Sequence, residues 1–181
     1  FSLSSDAVTD IARNNEGQIL VATLIGLNIY DYSNDNFRRI TSETYPSQNA
    51  LNNNFLSSVM ADNEAIWVGT EKGGVNLLLP GQNFFNNISH NENNPESLSK
   101  NPVNAIFEDK DGDLFVGTVE GGLNIRPRNS SGFIHAFNVP GNAQSLSHNS
   151  VSAITQDYNG DYWIATWGTG LNKLKYRDKY K

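Results

Sequence analysis

Residues 111–124 read Asp111-Gly112-Asp113-Leu114-Phe115-Val116-Gly117-Thr118-Val119-Glu120-Gly121-Gly122-Leu123-Asn124. A tight turn, an apolar run closing on Gly-Thr, a glycine pair and Leu-Asn follow one another in that order. The same order stands at Leu20-Val21-Ala22-Thr23 with Gly26-Leu27-Asn28, and at Trp67-Val68-Gly69-Thr70 with Gly73-Gly74-Val75-Asn76. It stands again at Trp163-Ile164-Ala165-Thr166 with Gly170-Leu171-Asn172. Asn28, Asn76, Asn124 and Asn172 are each 48 residues from the next. Upstream of each copy lies a Leu (Leu3, Leu51, Leu98, Leu146) and then an apolar-x-x-apolar element: Val8 to Ile11, Leu56 to Val59, Val103 to Ile106, Val151 to Ile154. Downstream of the first three lies a fourth element: Phe37 to Ile40, Phe85 to Ile88 and Ile134 to Phe137.

Each copy therefore reads as four short strands, A to D. The A-to-B links hold Asn15-Glu16-Gly17, Asp62-Asn63-Glu64, Asp111-Gly112-Asp113 and Tyr158-Asn159-Gly160. Asn-Gly and Asp-Gly between apolar runs are hairpin signals, and no stretch of useful length has helical spacing. Four antiparallel strands at a period in the high forties predict an all-β fold of β-propeller blades. About four blades are present, at approximately 3–40, 51–88, 98–137 and 146–181. A fourth-strand element of the last copy would begin at Lys181, so the expectation is a partial propeller belonging to a larger ring of about seven blades. A four-bladed ring, or a dimer that completes a ring, is the alternative.

With 13 Lys+Arg, 19 Asp+Glu and a net charge of −6, the chain lacks the basic stripe that nucleic acid or an anionic membrane surface selects. Charged residues are 18%, below the roughly 25% of an average domain. No apolar run is long enough to span a bilayer. The absence of Cys excludes disulfides, thiol catalysis and Cys-ligated zinc.

The string Asp-x-x-Gly-x-x-Trp-Ile-Gly-Thr-x-x-Gly-Gly-Leu-Asn, spread over the four copies, resembles the two-component regulator propeller repeat. Asn94-Pro95-Glu96-Ser97-Leu98-Ser99 is similar to that family's inter-blade linker. Copy one lacks a loop residue at Leu24-Ile25-Gly26, copy two has a shorter turn at 62–65, and copy four carries Ala165 in place of the motif Gly. The resemblance implies a non-catalytic, periplasmic sensor segment of a hybrid two-component histidine kinase, the ectodomain of an inner-membrane protein. It implies a glycan-derived oligosaccharide as ligand, the remaining blades and signalling domains of a parent chain as partners, and a homodimer in that parent. The alternatives are a propeller scaffold for protein–protein contacts and, further off, a propeller lyase.

Residues present in every copy serve the blade. Thr23, Thr70, Thr118 and Thr166 are read as bonding the turn backbone. The four Asn are read as bonding main chain, and Trp67, Phe115 and Trp163 as packing between blades. Asp109 to Asp113 fails the calcium-loop pattern in its Gly position and its missing Glu, so it is read as a hairpin turn, with no metal and no cofactor expected. Function is sought where the copies differ, on the rim shared by the D-to-A and B-to-C loops. The B-to-C loops carry Glu71, Lys72, Glu120 and Trp167, the last an aromatic at a loop tip that can stack on a sugar ring. The linkers add Tyr45, His90, Glu92, Gln144 and His148, with Lys100 beside them. No catalytic constellation stands out.

Overall fold

The computed structural model describes residues 2–44, 50–62 and 65–180. Two compact units divide the chain, Phe1–Ser89 and His90–Lys181. The first unit holds β1 (Val8–Arg13), β2 (Ile19–Thr23), β3 (Gly26–Asp31) and β4 (Asn36–Ile40), then β5 (Leu56–Ala61), β6 (Ile66–Thr70), β7 (Gly74–Leu78) and β8 (Phe85–Ile88). The second holds β9 (Val103–Glu108), β10 (Leu114–Thr118), β11 (Leu123–Arg126) and β12 (Ile134–Ala136), then β13 (Val151–Gln156), β14 (Tyr162–Thr166) and β15 (Gly170–Leu174). Each sheet is an antiparallel meander in chain order, β1 to β4, β5 to β8, β9 to β12 and β13 to β15. The fold is all-β, built of propeller blades. The fourth sheet has three strands among the described residues, and a 3-10 turn, Tyr176–Asp178, follows β15.

The recurring residues explain the recurring geometry. A register shift falls at the same place in all four A–B pairs, between Val8 and Asp10, Leu56 and Ser58, Gly117 and Thr118, and Val151 and Ala153. Such a bulge bends strand A and increases its local twist. The Thr at the end of strand B donates its hydroxyl to the carbonyl of the glycine that begins or immediately precedes strand C: Thr23 to Gly26 at 2.9 Å, Thr70 to Gly74 at 3.0 Å, Thr118 to Gly122 at 3.1 Å and Thr166 to Gly170 at 3.1 Å. Gly122 has φ +72°, and a Cβ there would lie 2.2 Å from the Ala136 carbonyl on the neighbouring strand. Both the dihedral and the close approach demand glycine.

The recurring Asn ties the linker to the blade. Its side-chain oxygen accepts the backbone N–H of Ser4, Asn52, Ser99 and Ser147 in turn, at 2.8, 3.0, 2.8 and 2.9 Å. In every copy the residue before that amide is the linker Leu, and Leu51, Leu98 and Leu146 are buried. The 24- or 25-residue separation is thus one contact made four times. Asn76 is fully buried, and its Nδ2 also donates to Asn52 Oδ1 at 2.9 Å. Asn76→Ala strands a linker amide and is expected to cost about 1–3 kcal/mol. A melting temperature unchanged by that substitution would contradict the assignment.

Within each unit the second blade lays its A strand on the A and B strands of the first: β5 on β1 and β2, β13 on β9 and β10. The first core gathers Leu20, Leu27, Ile40, Leu56, Val68 and Phe85, and the second Phe115, Leu123, Ile125, Val151, Tyr162 and Ile164. Phe115 packs between blades as the sequence implied, stacked on Tyr162 with centroids 4.6 Å apart. The two Trp at its position do something more. Trp67 donates its indole N–H to Asp62 at 2.5 Å, and Trp163 to Asp157 at 3.0 Å, each locking the turn of its own blade.

Candidate functional site

In every blade the B-to-C loop is sewn to the residue just before strand A. The first loop amide donates to a carbonyl there: Leu24 to Ala7, Glu71 to Phe55, Val119 to Pro102 and Trp167 to Ser150, at 2.9–3.2 Å. The D-to-A and B-to-C loops therefore share one rim, as expected.

The structure sorts the predicted residues on that rim. Glu71 and Lys72 are exposed on the first unit. Tyr45 lies outside the described residues. In the second unit His90 donates from Nδ1 to the Leu98 carbonyl at 2.6 Å and, with Glu92, borders a shallow hollow of about 200 Å³ shared with His135 and Phe137. Gln144 borders a separate hollow of about 520 Å³ with Leu171, Lys173 and Lys179. Neither hollow contains the other three.

Those three meet at one residue. Ser150, only 7% exposed, accepts the Glu120 N–H on its hydroxyl at 3.1 Å and the Trp167 N–H on its carbonyl at 2.9 Å. It gives its own N–H to His148 Nδ1 at 2.9 Å. Beside it the Asn149 carbonyl accepts the Gly122 amide at 2.7 Å. The β10–β11 loop of the third blade is thereby bolted to the start of β13 in the fourth. Trp167 stands 67% exposed. Accepting at Nδ1 fixes the neutral His148 proton on Nε2, which is left as a donor. Ser150 was not singled out from sequence; the available signal was that Ala7, Phe55 and Pro102 occupy its place in the other copies.

Glu120 has φ +58°, a left-handed backbone that side chains avoid, and the same loop position in the fourth blade is Gly168 with φ +79°. A strained non-glycine held on a loop is the kind of residue kept for its side chain. Glu120→Gly is expected to raise stability by up to about 1 kcal/mol. Differential scanning calorimetry checks the sign, and a lower melting temperature would show that the Glu120 side chain supports the fold.

A second cluster lies in the β9–β10 turn. The turn is the expected hairpin, with Asp109 Oδ1 accepting the amides of Asp111 and Asp113 at 2.8 and 3.0 Å. The carboxylates of Asp109, Asp111 and Asp113 converge, and the Lys179 ammonium sits among them at 2.9, 2.9 and 2.5 Å. Tyr162 and Tyr176 donate hydroxyls to Asp109 and Asp111 at 2.6 and 2.5 Å, and Tyr180 donates to Asp113. Burial opposes the charge on Lys179, but the three carboxylates prevail and hold it above the usual lysine range. The Tyr176 hydroxyl and then Lys179 hold Asp111 below the usual carboxylate range; for Asp113 burial works upward and Lys179 and Tyr180 outweigh it. The three carboxylates have a geometry that could take a cation, and the chain fills it with its own ammonium.

Residues 97–120 and 145–168, the third and fourth copies from linker to loop tip, match the two component regulator propeller family. No curated protein matches the chain by sequence. Among solved structures it is similar to the extracellular domain of a hybrid two component system of B. thetaiotaomicron, at 26% identity and TM-score 0.77 over 96% of this chain and 22% of that one. A second structure of that domain, described there as a one component system, gives 25% identity and TM-score 0.78 over 96% and 22%. The extracellular domain of another hybrid two component system of the same organism shares the fold, at 21% identity and TM-score 0.55 over 99% and 35%. The chain thus spans about a fifth of the length of the first two.

Proposed function

We propose that this chain, which carries two-component regulator propeller repeats, is part of a non-catalytic extracytoplasmic sensor that recognises an oligosaccharide and passes the signal to a kinase. The observation that carries the reading is the likeness of nearly the whole chain to an extracellular domain of a hybrid two component system. No helix among the described residues is long and apolar enough to cross a membrane. The rim supports the ligand class: an exposed indole gives a stacking face, a carboxylate accepts from hydroxyls, and an imidazole N–H donates to them. The signal would leave as a shift between two arrangements of blades or of a dimer. Titration calorimetry of the whole extracellular protein against a panel of plant and host oligosaccharides tests the reading. Binding of one class at micromolar concentration is the expected result, and no heat across a broad panel would sink it.

A scaffold reading draws on a different surface. Ile134, Phe137 and Val139, on and just after β12, are 42%, 43% and 50% exposed and suit a protein partner. Retained partner binding together with absent sugar binding would favour it.

A further inference from the structure

We infer that a hollow between the first and second blades is a docking seat for a segment of a partner protein, one that presents a tyrosine and, three residues further on, a lysine. The hollow lies within the first unit and measures about 360 Å³, near the lower limit of the roughly 300–1,000 Å³ of binding cavities. It opens beside the β1–β2 turn and the start of the β7–β8 connection, on the rim opposite the B-to-C loops. Ile29, Ile66 and Leu78 line it with apolar surface, and Asn14, Glu16 and Gln18 line it with polar groups.

The second unit has the same place and fills it with its own chain. The turns correspond: Asn14 Oδ1 accepts the Gln18 amide at 2.8 Å, as Asp109 Oδ1 accepts the Asp113 amide at 3.0 Å. Glu16, just before the turn glycine, stands where Asp111 stands. The facing blades correspond too: Ile66 pairs with Leu78 as Tyr162 pairs with Leu174. Two residues beyond those leucines Pro80 matches Tyr176, and three further on Asn83 matches Lys179. Tyr176 packs on the core of the second unit and gives its hydroxyl to Asp111 at 2.5 Å, and Lys179 donates to the same carboxylate at 2.9 Å. Pro80 has no hydroxyl and Asn83 no charge, so the first unit keeps the walls of the seat without the ring and ammonium that occupy it in the second.

The walls define what suits them. A phenol lays an apolar ring on Ile29, Ile66 and Leu78 and gives its hydroxyl to Glu16. Asp62 and Arg38 also border the hollow, so with Glu16 it carries two carboxylates and one guanidinium, a surplus of one negative charge that favours a basic segment. Asn14 and Gln18 replace the carboxylates of Asp109 and Asp113, so the lysine of the partner contributes less here than its tyrosine. Glu16, Arg38 and Pro80 are exposed, which leaves the seat open to a segment arriving from outside.

The probe is the end-blocked peptide Lys-Tyr-Arg-Asp-Lys-Tyr, a copy of residues 175–180, titrated into the whole extracellular protein by calorimetry. Binding that slows hydrogen exchange in the β1–β2 turn is expected. Alanine in place of the peptide's first tyrosine should weaken it about tenfold. Glu16→Gln should weaken it by a smaller factor. Pro80→Tyr puts the second unit's ring into the hollow, so it should abolish binding while the melting temperature holds or rises. Glu16→Gln changes an exposed side chain and keeps the test decisive if Pro80→Tyr misfolds. No heat at millimolar peptide, or binding indifferent to Pro80→Tyr or to Glu16→Gln, overturns the seat. Equal binding of the alanine peptide overturns the role of the tyrosine. Displacement of the peptide by a neutral oligosaccharide overturns the peptide class in favour of a sugar. Self-association of the parent that Pro80→Tyr abolishes overturns the separate partner in favour of a second copy. None of these results bears on whether the extracellular protein binds an oligosaccharide elsewhere.

Discussion

Lys179→Ala is expected to destabilise the second unit by about 3–5 kcal/mol, the cost of leaving buried charge without its partner. Lys179 is 8% exposed, and the side chains of Asp109 and Asp113 are 0% and 5% exposed. Three carboxylates left without the ammonium repel one another, and only the tyrosine hydroxyls remain to solvate them. The loss should be local, so hydrogen exchange in the β9–β10 turn and around β14 should rise more than in the first unit. A compensating variant separates charge from packing. Lys179→Met with Asp109→Asn and Asp113→Asn keeps volume and most hydrogen bonds, and it should recover much of the lost stability. A melting temperature for Lys179→Ala within a degree of the parent would remove the clasp from the account.

The same cluster fixes the direction of a pH effect. Asp111 and Asp113 have folded pKa values below their unfolded values, so their contribution is present above the unfolded pKa of about 4 and is lost as pH falls through the folded values. Lys179 is raised, so its contribution is complete below about pH 10 and is lost only as pH climbs through the folded value. The clasp therefore holds across neutral pH and weakens in acid. In the compensated triple variant the acid sensitivity of the β9–β10 turn should shrink.

The blades were legible because each repeated residue answers to a contact that forms inside its own copy or with the linker beside it. Thr118 meets Gly122, four residues on, and Asn124 meets Ser99 across one hairpin pair. The clasp was not legible in the same way, because Lys179 reaches Asp109 across 70 residues and lies in a C-to-D segment that differs in every copy. A faint signal existed. In the fourth blade Asp157 and Asp161 are served within the blade by the Trp163 indole and by Lys173, 3.0 Å from Asp161. The third blade has Phe115 and Ile125 at those two positions, so its turn carboxylates lack both partners and must find charge elsewhere. The rim was half legible: variation between copies selected the loops, but only the fold brings the Glu120 and Trp167 backbones and the His148 ring to Ser150 while Gln144 borders a hollow with Leu171 and Lys173. Burial also redistributes the aromatic energies, since Trp163, expected from sequence to pack between blades, is only half-buried.

That redistribution gives the other large effect. Phe115→Ala is expected to cost about 3–5 kcal/mol, and Trp163→Ala less, although the two residues share one position of the repeat. Phe115 is fully buried, stacks on Tyr162 at 4.6 Å and lies 6.1 Å from Phe107, so truncation opens a cavity on the seam between two blades. Tyr162 is itself fully buried and gives its hydroxyl to Asp109, so a ring that slides into the void drags a clasp partner with it. Trp163 faces outward enough for Lys173 to lie 5.0 Å above its ring, and its loss removes an indole hydrogen bond and a cation–π contact rather than core volume. Urea unfolding of the two variants side by side reads the difference. If Trp163→Ala proved the more damaging, the wall between the third and fourth blades would owe its stability to the outer turn, and the stacked pair Phe115 and Tyr162 would not be its centre.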